Sequence, residues 1–172
     1  MQKSSWKKKL TRIGAVVLSL GVVGSVVTYV RANRKVDAPY PNIHASLEPA
    51  VIERGRYLVE GPAHCGECHG ALEPKAVSRI GRPLIGGQEF ELPVGTFRVP
   101  NITPDPETGI GRFKDEELAR MIRYGVKPDG HAALPFMPYA ELCDDDVTAI
   151  ISYLRVQKPV KHLVPGHDVN PL

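Results

Sequence analysis

The longest apolar stretch of the chain lies near its N-terminus, where Ile13 to Val30 form a run without a charged side chain. A helix over these residues is roughly 27 Å long, enough to cross the hydrocarbon core of a bilayer. A cleaved signal peptide is the alternative, but its apolar core is usually shorter and ends in a small-x-small site. Residues 29–34 contain no convincing site of this kind, so the pattern favours an uncleaved transmembrane signal anchor over residues 13–30.

Basic residues flank this apolar run unequally. Five lysines and arginines precede it and three follow it closely. Because positive charge is retained on the cytoplasmic side, residues 1–12 are predicted to be a basic cytoplasmic N-terminus. The remainder of the chain then lies in the periplasm of a Gram-negative bacterium, beside the inner membrane.

Three further segments show helical periodicity. The first runs from Pro49 to about Glu60, the second from Asp115 to Tyr124 and the third from Asp144 to Val156. Proline at a first helical position, acidic first turns and a following Gly125 or Pro159 are typical start and stop signals. Their predicted apolar faces are Val51, Ile52, Leu58 and Val59 in the first, Leu118, Met121 and Ile122 in the second, and Val147, Ile150, Ile151 and Leu154 in the third.

The segments between these helices differ in character. Residues 31–48 are interpreted as a linker, stiffened by prolines into an extended spacer. Residues 70–112 are rich in glycine and proline, and 100–106 indicate turns, not strand. A loop of this length requires something to organise it within a compact domain of residues 49–158. Residues 159–172 are predicted to form an extended C-terminal strap.

The overall net charge of +3 conceals an asymmetry between the two ends of the chain. The first 36 residues contain eight basic and no acidic side chains, which leaves 14 basic and 19 acidic residues beyond them. The main domain therefore has a net charge of −5, and the high isoelectric point is no argument for nucleic-acid binding. Any electrostatic steering favours a basic partner surface.

Residues 65–69 read Cys-Gly-Glu-Cys-His, the C-x-x-C-H pattern of covalent haem attachment. Cys65 and Cys68 are spaced to bond the two vinyl groups of one haem, and His69 then reaches the iron from the proximal side. A zinc site needs more ligands, and a thioredoxin-like dithiol needs a βαβ context that this sequence does not indicate. The motif occurs once, so the sequence predicts one haem c.

The second axial position has several candidate ligands. Met137 lies in a loop braced by Pro135 and Pro138, which would hold a thioether near the iron. His131 is the main rival, and Met121 fits the buried face of a helix better. Methionine opposite histidine stabilises ferrous iron and leaves no open coordination position, which favours electron transfer over catalysis.

With these motifs the chain resembles the bacterial class I cytochromes c, in particular the cytochrome subunits of quinoprotein and molybdenum-type dehydrogenase systems. The resemblance covers roughly residues 39–172. It rests on Gly55-Arg-Tyr-Leu-Val, the C-x-x-C-H motif, the run Asn101-Ile-Thr-Pro-Asp-Pro-Glu-Thr-Gly-Ile-Gly111, Met137-Pro-Tyr and Tyr153-Leu-Arg. It implies a mainly α, class I cytochrome c fold of three to five short helices wrapped round one haem c, with the N-terminal transmembrane helix added.

The resemblance also implies roles for individual residues. Cys65 and Cys68 would be the thioether attachments, His69 the proximal ligand and Met137 the distal ligand. Gly55 would let the first helix of the domain cross closely against Tyr153 and Leu154 in the last one. Pro83 is implied as the carbonyl that accepts the ring N–H of His69, and Arg98 as a partner of a haem propionate.

Two departures from this family are visible. The related subunits often carry several haem motifs, whereas this chain has one, which suggests a single relay station. Cys143 stands where a serine or threonine often caps the last helix, and we expect it to be a buried, inert replacement; an intermolecular disulfide is the alternative.

The sequence thus predicts an electron-transfer protein, not an enzyme. Its predicted role is a membrane-anchored monohaem cytochrome c that carries single electrons in the periplasm. It would serve either as a tethered carrier or as a subunit of a respiratory or dehydrogenase complex. Its expected partners are the inner membrane, a dehydrogenase or quinol-oxidising donor, and an oxidase or reductase acceptor. The alternatives are a gas-binding or sensor module, in which Met137 is displaced, and a peroxidase, which needs an open iron or a second haem.

Overall fold

The computed structural model describes residues 3–72, 81–137 and 139–169. It forms two compact units, Met1–Val36 and Asp37–Leu172. The elements of the described residues are α1 (Lys3–Ala32), α2 (Pro49–Glu60), α3 (Cys65–His69), β1 (Glu89–Leu92), β2 (Gly95–Arg98), α4 (Asp115–Tyr124), α5 (Asp144–Val156) and β3 (Asp168–Val169). The mainly helical fold is as predicted, and α2, α4 and α5 have the predicted bounds.

The first unit is the single helix α1. Its segment Lys8–Arg31 is the one helix, among the described residues, that is long and apolar enough to cross a membrane. The hydroxyls of Ser25 and Thr28 donate to carbonyls one turn earlier, each at 2.9 Å. These polar side chains therefore have internal partners, as the apolar interior of a bilayer would require.

The core of the second unit lies where α2 and α5 cross. Leu58 and Val59 of α2 are buried with Ile150 and Ile151 of α5. The crossing is close because Gly55 has no side chain: a Cβ built there would lie 1.9 Å from the carbonyl oxygen of Ala149 and 2.8 Å from Cβ of Tyr153. The role that the family resemblance implied for Gly55 is confirmed.

The buried face of helix α4 agrees only in part with the predicted one. Leu118 is in the core with Ala119, and half-buried Ile122 packs against this core, whereas half-buried Met121 lies outside it. The side chain of Arg120 is buried instead, with 5% of the residue exposed. Its guanidinium donates to the carbonyl of Ala38 at 3.0 Å and lies 4.6 Å from the ring centre of Tyr40.

These contacts fix part of the segment predicted to be a linker. Ile43 is 3% exposed and belongs to the core, and the backbone N–H of Ala45 donates to the carboxylate of Asp115 at 2.7 Å. One residue later, the N–H of Ser46 donates to the hydroxyl of Ser152 at 2.8 Å. Residues 38–46 are therefore packed against α4 and α5, which a free spacer would not be.

A small antiparallel sheet, in the order β1-β2-β3, was not predicted. Strands β1 and β2 form a hairpin in which Phe90 is opposite Phe97. The C-terminal strap is extended, as expected, and its residues 168–169 pair with Gly95 and Thr96. Strands β1 and β2 have four residues each and β3 has two. In strands this short, an alternation of apolar and polar residues does not stand out from the surrounding glycines and prolines. The hairpin supplies part of the organisation that the 70–112 loop required.

Candidate functional site

The C-x-x-C-H motif forms the short helix α3, directly after α2. The turn between the two helices is closed by the N–H of Ala63, which donates to the carbonyl of Leu58 at 2.9 Å. On α3 the His69 ring is buried, with 7% of the residue exposed, and Cys65 and Cys68 are half-buried free thiols. Burial raises the pKa of the Cys65 thiol to about 11.

The ring of His69 has a defined partner. Its Nδ1 lies 2.8 Å from the carbonyl oxygen of Pro100. A carbonyl can only accept a hydrogen bond, so Nδ1 carries the proton and the lone pair of Nε2 is left for a metal. Burial lowers the pKa of the His69 ring, and the bond to Pro100 opposes that change. A buried, neutral imidazole in this tautomer is the state that iron ligation requires.

This geometry corrects one expectation. The carbonyl of Pro83 was implied as the partner of His69, but it accepts the backbone N–H of Ala71 at 2.9 Å. Pro100 is 31 residues from His69 in sequence, and the contact uses a backbone oxygen. Because every residue offers such an oxygen, only the path of the chain decides which one meets the ring.

Residues 84–87 bond to residues 99–102 and so hold the Pro100 carbonyl in place. The N–H of Gly87 donates to the carbonyl of Val99, and the N–H of Ile102 donates to that of Leu84, both at 2.9 Å. Gly86 lies between them with a φ of +71°, and its N–H donates to the carbonyl of His69 at 2.7 Å. A Cβ at Gly86 would lie 2.5 Å from the Pro100 oxygen itself, so only glycine permits this approach.

The run from Asn101 to Gly111 forms a hydrogen-bonded loop that continues from Pro100. The Asn101 side chain, on a residue 3% exposed, accepts from the N–H and hydroxyl of Thr103 and donates to the carbonyl of Val160. Asp105 accepts from the backbone N–H and the hydroxyl of Thr108, each at 2.7 Å, and these bonds lower the pKa of the carboxyl. The polar residues of this run thus stabilise the loop and bond it to the C-terminal strap.

The loop that contains Met137 is tied to the start of the motif helix. Tyr139 donates its hydroxyl to the carbonyl of Ala63, two residues before Cys65. Burial, with a smaller effect of the two nearby thiols Cys65 and Cys68, raises the pKa of Tyr139 to about 12. Phe136, on the other side of half-buried Met137, packs on Phe90 of β1 with ring centres 5.4 Å apart. Pro138, the second of the two bracing prolines, lies outside the described residues.

The rival ligands have other surroundings. His131 is half-buried, and its Nδ1 lies 3.3 Å from the carboxylate of Asp129, which also accepts the backbone N–H of His131. Met121 is in the last turn of α4 and lies outside the hydrophobic core of the domain. Among residues 3–72, 81–137 and 139–169, no group of three or more His, Cys, Asp or Glu side chains is arranged to hold a metal ion.

Two further residues had expected roles. Arg98 bonds to Glu89 at 2.6 Å and to Asp168 at 2.7 Å, and its contact with a haem propionate stays a prediction. Cys143 is at the N-cap of α5, as predicted, but its side chain makes no cap hydrogen bond. It is also exposed, which corrects the expectation of a buried thiol; the position is at a helix end that faces solvent.

Comparison with known proteins identifies the domain. The family model described as cytochrome c matches residues 52–158. The chain belongs to the cytochrome c family. This confirms the resemblance and the fold class, and it makes electron transfer, not catalysis, the role of this cytochrome c domain.

Several relatives of this cytochrome c are cytochrome subunits of dehydrogenases. It is 39% identical to the cytochrome c subunit of the quinone alcohol dehydrogenase of Gluconobacter oxydans, over 66% of the chain and 23% of that protein. It is 37% identical to the fructose dehydrogenase cytochrome subunit of Gluconobacter japonicus, over 77% of the chain and 33% of that protein. A dihaem cytochrome c-type protein of Cereibacter sphaeroides is 30% identical over 95% of the chain and 53% of its own length. The chain thus spans only a quarter to a half of these relatives.

Proteins of this family carry covalently attached haem c, and the residues at the motif fit that group. The two free thiols lie one helical turn apart on α3, and the buried ring between α3 and Pro100 has its Nε2 available. Sequence reasoning missed Pro100, Gly86 and the role of Tyr139. The Gly-Gly pair at 86–87 was the one local signal that the backbone comes close to another segment there.

Proposed function

We propose that this protein is a membrane-anchored monohaem cytochrome c that carries single electrons on the periplasmic side of the bacterial inner membrane. In this proposal Cys65 and Cys68 attach one haem c, His69 is the proximal ligand and Met137 the distal ligand. The observation that carries the proposal is the buried His69 ring, held by Pro100 in the tautomer that presents Nε2 to a metal. When bound, haem c supplies a one-electron Fe(III)/Fe(II) couple.

The proximal residues fix the direction and basicity of the imidazole. The bond to Pro100 orients the His69 ring and increases electron donation from Nε2, since a bound Nδ1–H makes the ring more basic. A more basic ligand favours the ferric state. The distal thioether acts in the opposite direction and favours the ferrous state. The two ligands together set the potential at which the domain exchanges electrons.

The position of the Met137 loop supports electron transfer over gas binding. The loop is anchored on one side through Tyr139 to Ala63 and on the other through Phe136 to Phe90. These two anchors are three residues apart and enclose Met137, which keeps its side chain from leaving freely, so exchange with an external ligand is disfavoured. A sensor that works by ligand displacement needs the opposite arrangement.

Replacement of Met137 by leucine tests the distal ligand. The variant should keep its covalent haem, bind carbon monoxide in the ferrous state and have a lower midpoint potential, because the thioether no longer favours Fe(II). Met121→Leu is the matched control, with the same change of side chain on α4. Carbon monoxide binding by the Met121→Leu control would transfer the ligand role to Met121. Binding by neither variant would transfer it to His131.

The number of haems and their attachment have a separate test. Mass spectrometry of the denatured protein should show one haem retained on the chain, because the sequence contains one C-x-x-C-H motif. Cys65→Ala and Cys68→Ala should weaken the attachment, whereas Cys143→Ala should leave it unchanged. Extraction of the haem by acidified acetone from the unmodified protein would refute covalent attachment.

Helix α1 supports the anchor. Trp6 and Tyr29, both 70% exposed, are 23 residues apart, which places their rings roughly 34 Å apart along a helix. Aromatic side chains at this separation suit the two interfaces of one bilayer. The intact protein should sediment with membranes and resist extraction by salt and alkaline carbonate. An N-terminus beginning near residue 32 or 37 would show a cleaved signal peptide instead.

The partner is proposed to be a dehydrogenase or another respiratory complex, on the basis of the relatives named above. The acidic domain would dock on a basic surface, and the tether would raise its local concentration at that surface. Purification from detergent-solubilised membranes tests this. Co-elution of a dehydrogenase subunit through salt washes supports a fixed subunit, and elution of the cytochrome alone supports a tethered carrier.

A further inference from the structure

The acceptor of the His69 ring proton belongs to the peptide group between Pro100 and Asn101. The orientation of this peptide plane decides whether its oxygen points at Nδ1. Asn101 is therefore the residue whose side chain can most directly fix that plane, since its own backbone nitrogen is part of the same rigid group.

The Asn101 side chain is buried and uses both ends of its amide. Its Oδ1 accepts from the N–H of Thr103 at 2.9 Å and from the hydroxyl of Thr103 at 2.8 Å. Its Nδ2 donates to the carbonyl of Val160 at 2.9 Å and to the hydroxyl of Thr108 at 3.1 Å. The residue is 3% exposed, so a lost partner would not be replaced easily by solvent.

The same network attaches the C-terminal strap. The N–H of Val160 donates to the hydroxyl of Thr103 at 3.2 Å, and the N–H of His162 donates to that of Thr108 at 3.0 Å. Thr103 is 1% exposed. Residues 160–162 are thus bonded, through the side chains of Asn101, Thr103 and Thr108, to the loop that starts at the acceptor carbonyl.

We propose that Asn101 and Thr103 are positioning residues for the proximal ligand: they hold the Pro100 carbonyl, against the C-terminal strap, at the distance that sets the basicity of His69. The inference rests on the proposed function, in which His69 ligates the iron. It extends that function by giving the strap, which is remote in sequence from every ligand, a part in setting the reduction potential.

The direction of the effect follows from the bond. A displaced Pro100 carbonyl would weaken the Nδ1–H···O contact and make the imidazole a poorer donor. The ferric state would lose stabilisation, and the midpoint potential would rise. The Nδ1 proton would also exchange faster with solvent deuterons, because it would spend less time in a closed hydrogen bond.

The test uses the full-length haem-loaded protein in detergent and an isosteric pair of variants. Thr103→Val removes the hydroxyl and keeps the shape, whereas Thr103→Ser keeps the hydroxyl. We expect Thr103→Val to raise the midpoint potential and to accelerate exchange of the His69 ring proton roughly tenfold, the factor given by loss of about one net hydrogen bond. Thr103→Ser should preserve both values.

Asn101→Leu provides a second perturbation of similar size that adds no charge. Leucine removes both the acceptor for Thr103 and the donor to the Val160 carbonyl, so the potential should rise further. Ser152→Ala is the control, because Ser152 is also fully buried and bonds to Ser46 and Thr148, not to the 100–108 loop. This control should lower the melting temperature without changing potential or exchange.

Two outcomes would overturn the inference and are distinguishable. If Thr103→Val and Asn101→Leu lower the melting temperature as Ser152→Ala does, with potential and proton exchange unchanged, the network is structural only. If the ring proton of His69 lacks the paramagnetic shift of an iron-bound imidazole in the unmodified ferric protein, the proposed function fails and this inference fails with it.

Discussion

Substitution of Gly55 by alanine addresses the helix crossing on which the domain depends. Glycine is the only residue that fits at this point, because α5 passes directly over it. A Cβ at Gly55 would lie 1.9 Å from the carbonyl oxygen of Ala149, whereas Cβ atoms in proteins essentially never lie closer than 3.0 Å to another heavy atom of this kind. The two helices would have to separate by at least 1.1 Å.

The magnitude follows from two opposing effects. Alanine is favoured over glycine in a helix interior by about 0.8–1 kcal/mol. Overpacking of a tight core costs about 1–3 kcal/mol or more, and here the obstacle is a helix backbone that cannot rotate away. Separation also loosens Leu58, Val59, Ile150 and Ile151, which meet at the same crossing. We expect a net loss of about 2 kcal/mol or more in the free energy of unfolding.

Thermal unfolding of the compact unit Asp37–Leu172, with its haem attached, measures this loss. For a domain of this size a loss of about 2 kcal/mol corresponds to a fall in melting temperature of roughly 6–10 °C. Gly166→Ala is the control, since a Cβ at Gly166 meets nothing within 4 Å. An equal melting temperature for the two variants would refute the close crossing as a source of strain.

Two further predictions concern the proximal side and pH. In a redox titration Gly86→Ala should raise the midpoint potential, because the added Cβ would displace the Pro100 carbonyl. Gly125→Ala is the control: it is also at positive φ but in open space, so it should cost similar backbone strain and leave the potential unchanged. Burial, and after it the bond to Glu60, raises the pKa of Tyr153 from 10.0 to about 12, so the neutral hydroxyl is the form that stabilises the fold. That stabilisation is complete below pH 10 and is lost as the pH rises toward about 12. Because Tyr139 has a similarly raised pKa, melting curves of Tyr153→Phe should show a smaller alkaline loss than those of the unmodified protein. Identical alkaline slopes in both proteins would contradict the prediction.

Features that depend on neighbouring residues could be predicted from the sequence. The bounds of α2, α4 and α5 follow from local apolar periodicity and from end signals such as Pro49 and Gly125. The C-x-x-C-H motif needs only adjacent residues, so the family and the type of cofactor were recognisable. Gly55 was identified through the family resemblance, and the structure supplied the atoms that exclude a side chain there.

Features that depend on distant backbone could not be predicted. The partner of His69 is a carbonyl, which leaves no mark in the sequence, and its selection depends on how residues 84–87 lie against 99–102. The burial of Arg120 arises because Ala38 and Tyr40, about 80 residues earlier, return to cover it. Strand β3 exists only where the chain meets Gly95 and Thr96 of β2. The sequence by itself therefore determined the helices and the haem motif, whereas the tertiary structure decided which backbone oxygen holds the proximal ligand, since that choice is made by chain packing and not by side-chain identity.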